Sequence, residues 1–233
     1  MITDDRYEKM LEAFALAKNF LKQQVDLGFD EVYTQKVNKK SNLKKLHAPA
    51  KTLADFYQET KDCKKCHLHK TRTNLVFGAG NQNAKVMFIG EAPGREEDLQ
   101  GEPFVGKAGQ LLDKILAAIN FKRDEVYIAN ILKCRPPENR DPLPDEIQTC
   151  EPHLLEQIRI IQPKIICALG RIAAQSLLKT KLPLGQLRGK LHDYHGTKFL
   201  VTYHPAALLR YPQYKRPTWE DVKLLRKEYD DLG

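Results

Sequence analysis

Four short apolar runs, each rich in β-branched or aromatic residues, constrain this chain more than any other feature: Val86–Ile89, Val126–Ala129, Ile165–Leu169 and Phe199–Tyr203. Runs this short, with little polar alternation, read as strands buried on both faces. Helical patterns lie between and after them, over Ala108–Asn120, Asp145–Ile161, Ile172–Leu178 and Thr218–Leu232, with a shorter helix expected over 53–62. Strands alternating with helices imply an α/β domain with a largely parallel sheet covered on both faces. In such sheets ligands gather at the C-terminal ends of the strands, so residues just after each run are the first candidates for a site.

The pattern changes at Thr52. Before it, residues 4–27 form an amphipathic helical pattern in which Tyr7, Met10, Leu11, Phe14, Ala17, Leu21 and Val25 recur at three- and four-residue steps. A basic stretch follows, with Lys36, Lys39, Lys40, Lys44, Lys45 and Lys51 and no acid from Val32 to Ala54. The expected organisation is an N-terminal helix and basic linker over 1–51, then one domain over 52–233. The linker reads as a solvated spacer or as an arm that touches nucleic acid. No stretch approaches the roughly 18 consecutive apolar residues that span a bilayer. The first residues carry acids where a secretory signal carries a basic and then apolar run. A soluble, intracellular protein with no membrane partner is expected. The formal net charge of +8 favours a polyanionic partner, although many basic proteins bind no nucleic acid.

In a reducing compartment the five cysteines are not expected to form disulfides. Cys63 and Cys66 make a C-x2-C pair, Cys134 and Cys150 are separated by fifteen residues, and Cys167 lies inside the third apolar run. This suggests a four-ligand metal site and one buried thiol. Four thiolates satisfy tetrahedral zinc and an iron–sulfur cluster alike, and the spacing leaves both open.

The strand ends carry chemistry. The first runs into Gly90-Glu91-Ala92-Pro93-Gly94, a tight turn that brings backbone amides and one acid to the sheet edge. Phe104, between small residues in Gly101–Gly106, is either a core aromatic or a platform for a planar ligand. Asn130 offers a donor and an acceptor on one amide, suited to a base edge, though asparagine also caps helices. Lys133, Arg135 and Arg140 follow as phosphate contacts or solvated charges. His204, after the fourth run, can donate to an oxygen that gains negative charge, or can be structural. Singly each residue is ambiguous; together, Glu91, Phe104, Asn130 and His204 converge on one sheet edge.

The segments GEAPG-x3-D, G-x-PFVG-x-AG-x-LL, N-x2-KCRPP-x-NR and HPAALLR, in order and with the four spaced cysteines, resemble family 4 uracil-DNA glycosylases, the iron–sulfur branch of that superfamily. The resemblance covers about residues 53–233. It implies a three-layer α/β/α sandwich with a central four-stranded parallel sheet, to which the N-terminal helical extension is appended. It implies a monofunctional enzyme of base excision repair that flips uracil from single- or double-stranded DNA and hydrolyses its N-glycosidic bond. It assigns Cys63, Cys66, Cys134 and Cys150 to a [4Fe–4S] cluster of scaffolding character, with His67 and His69 as bystanders. It assigns Glu91 and His204 as catalytic. Ala92, Phe104 and Asn130 join them in binding uracil, and Glu97 is a further acid near the pocket. The Leu208–Arg210 segment is expected to fill the gap left by the flipped base. No lysine is placed as a Schiff-base nucleophile, so no strand cleavage is expected. A nucleoid-associated monomer is expected, with the N-terminal extension available to a replication or repair protein.

Two other readings compete. One is the superfamily branch that becomes covalently trapped on uracil-DNA, which carries glutamine where this chain has Ala92; Leu187–His192 only faintly resembles its insertion. The other is a non-catalytic, zinc-stabilised nucleic-acid-binding module, which explains the charge and cysteines but leaves Glu91, Asn130 and His204 without a joint purpose.

Overall fold

The computed structural model describes residues 51–233. The N-terminal helix and most of the basic stretch expected from sequence lie outside the described residues. The chain enters through α1 (Leu53–Thr60), whose start is fixed by a capping box: Asp55 N donates to Thr52 Oγ1 at 3.1 Å, and Thr52 N donates to the Asp55 carboxylate at 3.0 Å. There follow β1 (Ala79–Gly80), β2 (Val86–Gly90), α2 (Arg95–Gln100), α3 (Lys107–Ala118) and β3 (Tyr127–Asn130). The chain continues through α4 (Pro144–Ile161), β4 (Ile165–Leu169), α5 (Arg171–Leu178) and α6 (Leu184–Leu187). It closes with β5 (Leu191–Tyr194), β6 (Thr197–Thr202), α7 (Pro205–Arg210) and α8 (Lys215–Asp230).

The strands form one sheet in the order β1-β3-β2-β4-β6-β5. Its centre, β3-β2-β4-β6, is parallel throughout, which is the expected four-stranded parallel sheet. Two short antiparallel edge strands, β1 and β5, extend it. Alternation along the strands sorts side chains into two cores. Met87, Ile89, Ala129, Ile166, Ala168, Phe199 and Val201 face a core shared with α1, α4 and α5. Val86, Phe88, Ile128, Ile165, Leu200 and the thiol of Cys167 face a second core, shared with Leu112 and Leu116 of α3 and Val222 and Leu225 of α8. Because both faces are covered, these strands show no polar alternation. The result is a three-layer sandwich.

Register places the site. Gly90 pairs with Asn130 across the parallel β2–β3 ladder, so Glu91 and Asn130 emerge side by side. At the end of β4, Gly170 adopts a φ of +93°, and a Cβ there would stand 3.0 Å from the Cβ of His204. The missing side chain gives His204 its place beyond β6.

Candidate active site and cysteine cage

Glu91, Ala92, Phe104, Asn130 and His204 line a single cavity of about 510 Å³ at the C-terminal ends of β2, β3 and β6. That volume lies within the range of small-molecule sites. Glu97, Arg140, Asp141, Leu209 and Arg210 complete much of its wall and rim. A larger open groove beside β1 lies away from these groups.

The floor is bare backbone. A Cβ on Gly90 would sit 2.4 Å from Asn130 Oδ1 and 2.6 Å from Phe104 Cζ, so only glycine lets those two side chains meet. Phe104 itself has a φ of +54°, a left-handed conformation unusual for an aromatic residue. Two features hold it there. The carboxylate of Glu97 accepts from the main-chain N–H groups of Val105 at 3.0 Å and Gly106 at 2.9 Å, and from Gly94 at 3.1 Å. Gly109 packs so closely beneath that its Cβ would stand 1.8 Å from the Phe104 carbonyl oxygen. Glu97 is therefore a staple between the two pocket loops, already committed to three donors.

Asn130 is buried, and its Oδ1 is the one buried side-chain oxygen or nitrogen among the described residues without a hydrogen-bond partner. An unsatisfied buried acceptor costs roughly 1–3 kcal/mol, which a ligand N–H placed there would recover. His204 caps α7: its Nδ1 accepts from Ala206 N at 3.1 Å, which leaves the ring proton on Nε2. Burial pushes the imidazole down to about 4, with the charge of Arg210 adding to it, so the ring is neutral at physiological pH. Its ring centroid lies 5.4 Å from that of Phe104. Glu91 moves the other way. Burial, reinforced by the charge of Asp141 and opposed by Arg171 and Arg210, pushes its carboxyl up to about 7.

The four cysteines expected to bind metal, Cys63, Cys66, Cys134 and Cys150, line a second, small cavity between the segment after α1, the segment after β3 and α4. Arg72 Nη1 donates to Cys134 Sγ at 3.0 Å and Lys133 N to Cys150 Sγ at 3.3 Å, while His153 Nε2 lies 3.4 Å from Cys63 Sγ. Donors aimed at sulfur and a nearby guanidinium suit thiolate ligands. Among the described residues, no three His, Cys, Asp or Glu side chains cluster tightly enough to hold a single metal ion. Cys167 stands apart and is buried, as expected.

Some residues depart from their sequence reading. Lys133 is neither a phosphate contact nor solvated: it is almost fully buried, and Nζ donates to the Asn130 carbonyl at 2.9 Å and Gln157 Oε1 at 2.6 Å. Arg140 makes a two-pronged ion pair with buried Glu146, at 2.9 and 2.6 Å. His67 Nε2 reaches the same carboxylate at 2.8 Å. Of the Leu208–Arg210 segment, Leu208 is buried and Leu209 is exposed at the pocket rim. Arg188 and His192, which faintly resembled the trapping insertion, bond Asp221 and the Leu187 carbonyl instead. Sequence reading placed Glu97 near the pocket and named Lys133 as a phosphate contact or solvated charge, but missed the staple and the burial because acids and lysines are ordinarily exposed.

An α/β/α sandwich with acid, aromatic, amide and imidazole gathered in one pocket at its strand ends fits the uracil DNA glycosylase superfamily, whose profile matches residues 77–223. The chain is 46% identical over 180 residues to the type-4 uracil-DNA glycosylase of Archaeoglobus fulgidus, covering 74% of this chain and 90% of that one. It is 46% identical to the type-4 enzyme of Saccharolobus solfataricus (72% and 82% covered) and 45% identical to that of Thermotoga maritima (66% and 81%). The chain belongs to the type-4 uracil-DNA glycosylase family.

Proposed function

We propose that the chain excises uracil from DNA as a monofunctional glycosylase in base excision repair, and that Glu91, Ala92, Phe104, Asn130 and His204 form its base pocket. The observation that carries the residue roles is the orphaned Oδ1 of Asn130. Uracil presents an N3–H beside its O4 acceptor, so a fixed amide accepts from N3–H through Oδ1 and donates to O4 through Nδ2. Cytosine presents an acceptor and a donor at those positions and is refused.

The base must leave the stack to reach this pocket. Exposed Leu209 at the rim is suited to occupy the vacated space, and Arg210 beside it to hold phosphate. Uracil stacks on Phe104 with its face against the main chain of Ala92. The C1′–N1 bond then breaks, its electron pair goes to N1, and negative charge spreads to O2. Neutral His204 donates from Nε2 to that oxygen without giving up its proton. Water adds at C1′, and ionised Glu91 stabilises the sugar cation and takes up the water proton. Among the described residues no lysine lines the pocket, which favours hydrolysis over Schiff-base chemistry and strand cleavage.

We read Cys63, Cys66, Cys134 and Cys150 as holders of a [4Fe–4S] cluster. Zinc would also accept four thiolates. The four thiols lining one cavity, together with membership of the type-4 family, support the cluster instead. A cluster held there would contribute negative charge and tie the segment after α1 and α4 to the segment after β3. Every described residue that lines the pocket falls between 91 and 210, which supports residues 52–233 as the catalytic domain, and we read that domain as acting as a monomer.

Uracil release from single- and double-stranded oligonucleotides tests the activity, with alkali or amine treatment revealing abasic sites. Intact substrate after anaerobic iron reconstitution refutes it. Asn130→Asp is expected to cut kcat/KM for uracil by roughly ten- to a hundredfold, the cost of mispairing a buried hydrogen-bond pair. Unchanged uracil excision in that variant removes Asn130 from its role.

A further inference from the structure

Lys133 is the most unusual charge in the fold. An ammonium withdrawn from water costs several kcal/mol unless an anion or a full set of acceptors meets it. Its two acceptors, the Asn130 carbonyl and Gln157 Oε1, are both neutral. Gln157 is itself buried, and its Nε2 is committed to the Phe77 carbonyl at 2.9 Å and the Tyr127 hydroxyl at 3.3 Å, so its oxygen is held toward Lys133. No Asp or Glu among the described residues forms an ion pair with Lys133. The groups near it able to carry negative charge are the thiolates of Cys150 and Cys134, the first of which accepts a hydrogen bond from the main-chain N–H of Lys133 itself. The side chain does not line the base pocket, so it does not touch substrate.

We propose that Lys133 is a positioning residue joining the cysteine cage to the base pocket: its ammonium is the buried countercharge of the thiolate-bound cluster, and the same Nζ tethers the main chain of Asn130. The countercharge half rests on the iron–sulfur reading, whereas the tether does not. Two residues separate the ligand-reading amide from the tether, and the residue after Lys133 is the cage cysteine Cys134. Any displacement of the cage is thereby transmitted to Asn130.

The test uses the full-length holoprotein and two neutral variants. Lys133→Met removes charge and donor; Lys133→Gln removes charge but keeps an N–H donor. Iron content and absorbance near 400 nm report cluster loading, the cluster's midpoint potential reports local charge, and inhibition by free uracil reports the pocket. Lys133→Met is expected to raise the inhibition constant for uracil about tenfold, as for loss of a group that orients a binding residue, and to make the potential more negative. Lys133→Gln is expected to lower the potential similarly while leaving uracil inhibition within about twofold of the parent. A parent-like potential in Lys133→Gln overturns the countercharge, and this variant decides that half alone if Lys133→Met does not fold. Parent-like uracil inhibition in Lys133→Met, or a Lys133→Gln variant as weakened toward uracil as Lys133→Met, overturns the tether. Zinc in place of iron in the parent protein overturns the cluster reading and the countercharge, and leaves the tether to be judged by uracil inhibition.

Discussion

The pH dependence of excision tests the role of Glu91 most directly. Its carboxyl is pushed from 4.5 to about 7, first by burial at the pocket and then by the charge of Asp141, with Arg171 and Arg210 pulling back. If the ionised form is needed to stabilise the sugar cation, activity follows the ionised fraction. That fraction is about one-tenth at pH 6 and about nine-tenths at pH 8, so kcat/KM should rise roughly tenfold across the interval. His204 adds no inflection there, because its imidazole is already neutral above about pH 5. A carboxylate left at 4.5 would give a flat profile over the same range. The assay is uracil release from single-stranded substrate at constant ionic strength between about pH 5.5 and 8.5, where DNA charge does not change. Glu91→Gln should be slower and level. Stability supplies a second reading with the opposite sign. The native state holds a proton that the unfolded chain releases between about 4.5 and 7, so this residue's contribution to stability falls as pH rises through that window. Glu91→Gln should therefore melt higher than the parent at pH 8 and close to it at pH 4, while losing activity. A parent profile that changes less than twofold between pH 6 and 8, or a Gln variant with the parent's slope, refutes the assignment.

Gly90→Ala should reduce uracil excision by at least a hundredfold, because the new methyl would occupy the space between Asn130 Oδ1 and Phe104. DNA affinity measured by gel shift should stay within about twofold, since phosphate contacts lie elsewhere. Glu97→Gln keeps the shape of the staple but loses its charge, and should lower kcat/KM about tenfold and the melting temperature by a few degrees. Leu209→Ala should slow excision from duplex DNA several-fold more than from single strands, where there is no stack to hold open. Equal losses on both substrates would remove Leu209 from base flipping.

The four parallel strands were legible because burial on both faces writes itself as an uninterrupted apolar run. β1 and β5 were not, for the same reason inverted. Ala79–Gly80 is two residues long, and Leu191–Tyr194 has one open face and an exposed leucine. The hairpin joining β5 to β6 turns through left-handed His195 and Gly196, a pair that does not announce itself. α2 was not among the expected helices because its charged residues show no apolar periodicity. It is a helix because acids fill its first turn, Glu97 caps the Gly94 amide and Gly101 closes it in the left-handed region. At the site, Glu91, Asn130 and His204 drew notice from their places after strands, and Phe104 from its place between small residues before a helix. What could not be read was how they are held: the positive φ of Phe104, the space that Gly109 must leave, and the burial of Lys133 all depend on contacts between distant segments.

Those contacts bear on whether the cysteine cage is only scaffold. Two hydrogen-bonded bridges run from cage to pocket. One passes from Cys150 Sγ through Lys133 to the Asn130 carbonyl. The other passes from His67, next to Cys66, through buried Glu146 to Arg140 on the pocket wall. The sheet depends on neither, since its central strands bury their apolar faces against α3, α5 and α8 as well as α4. Oxidative removal of the proposed cluster should therefore damage the pocket before the fold. Uracil excision and inhibition by free uracil should disappear while the far-ultraviolet circular dichroism of the sandwich keeps most of its amplitude. The loss should begin with base recognition, seen as a rise in KM ahead of a fall in kcat, because Asn130 and Arg140 are the residues the bridges reach. Loss of excision and of circular dichroism in a single step would mean that the cage holds the whole domain together, and the bridges would then be incidental to recognition.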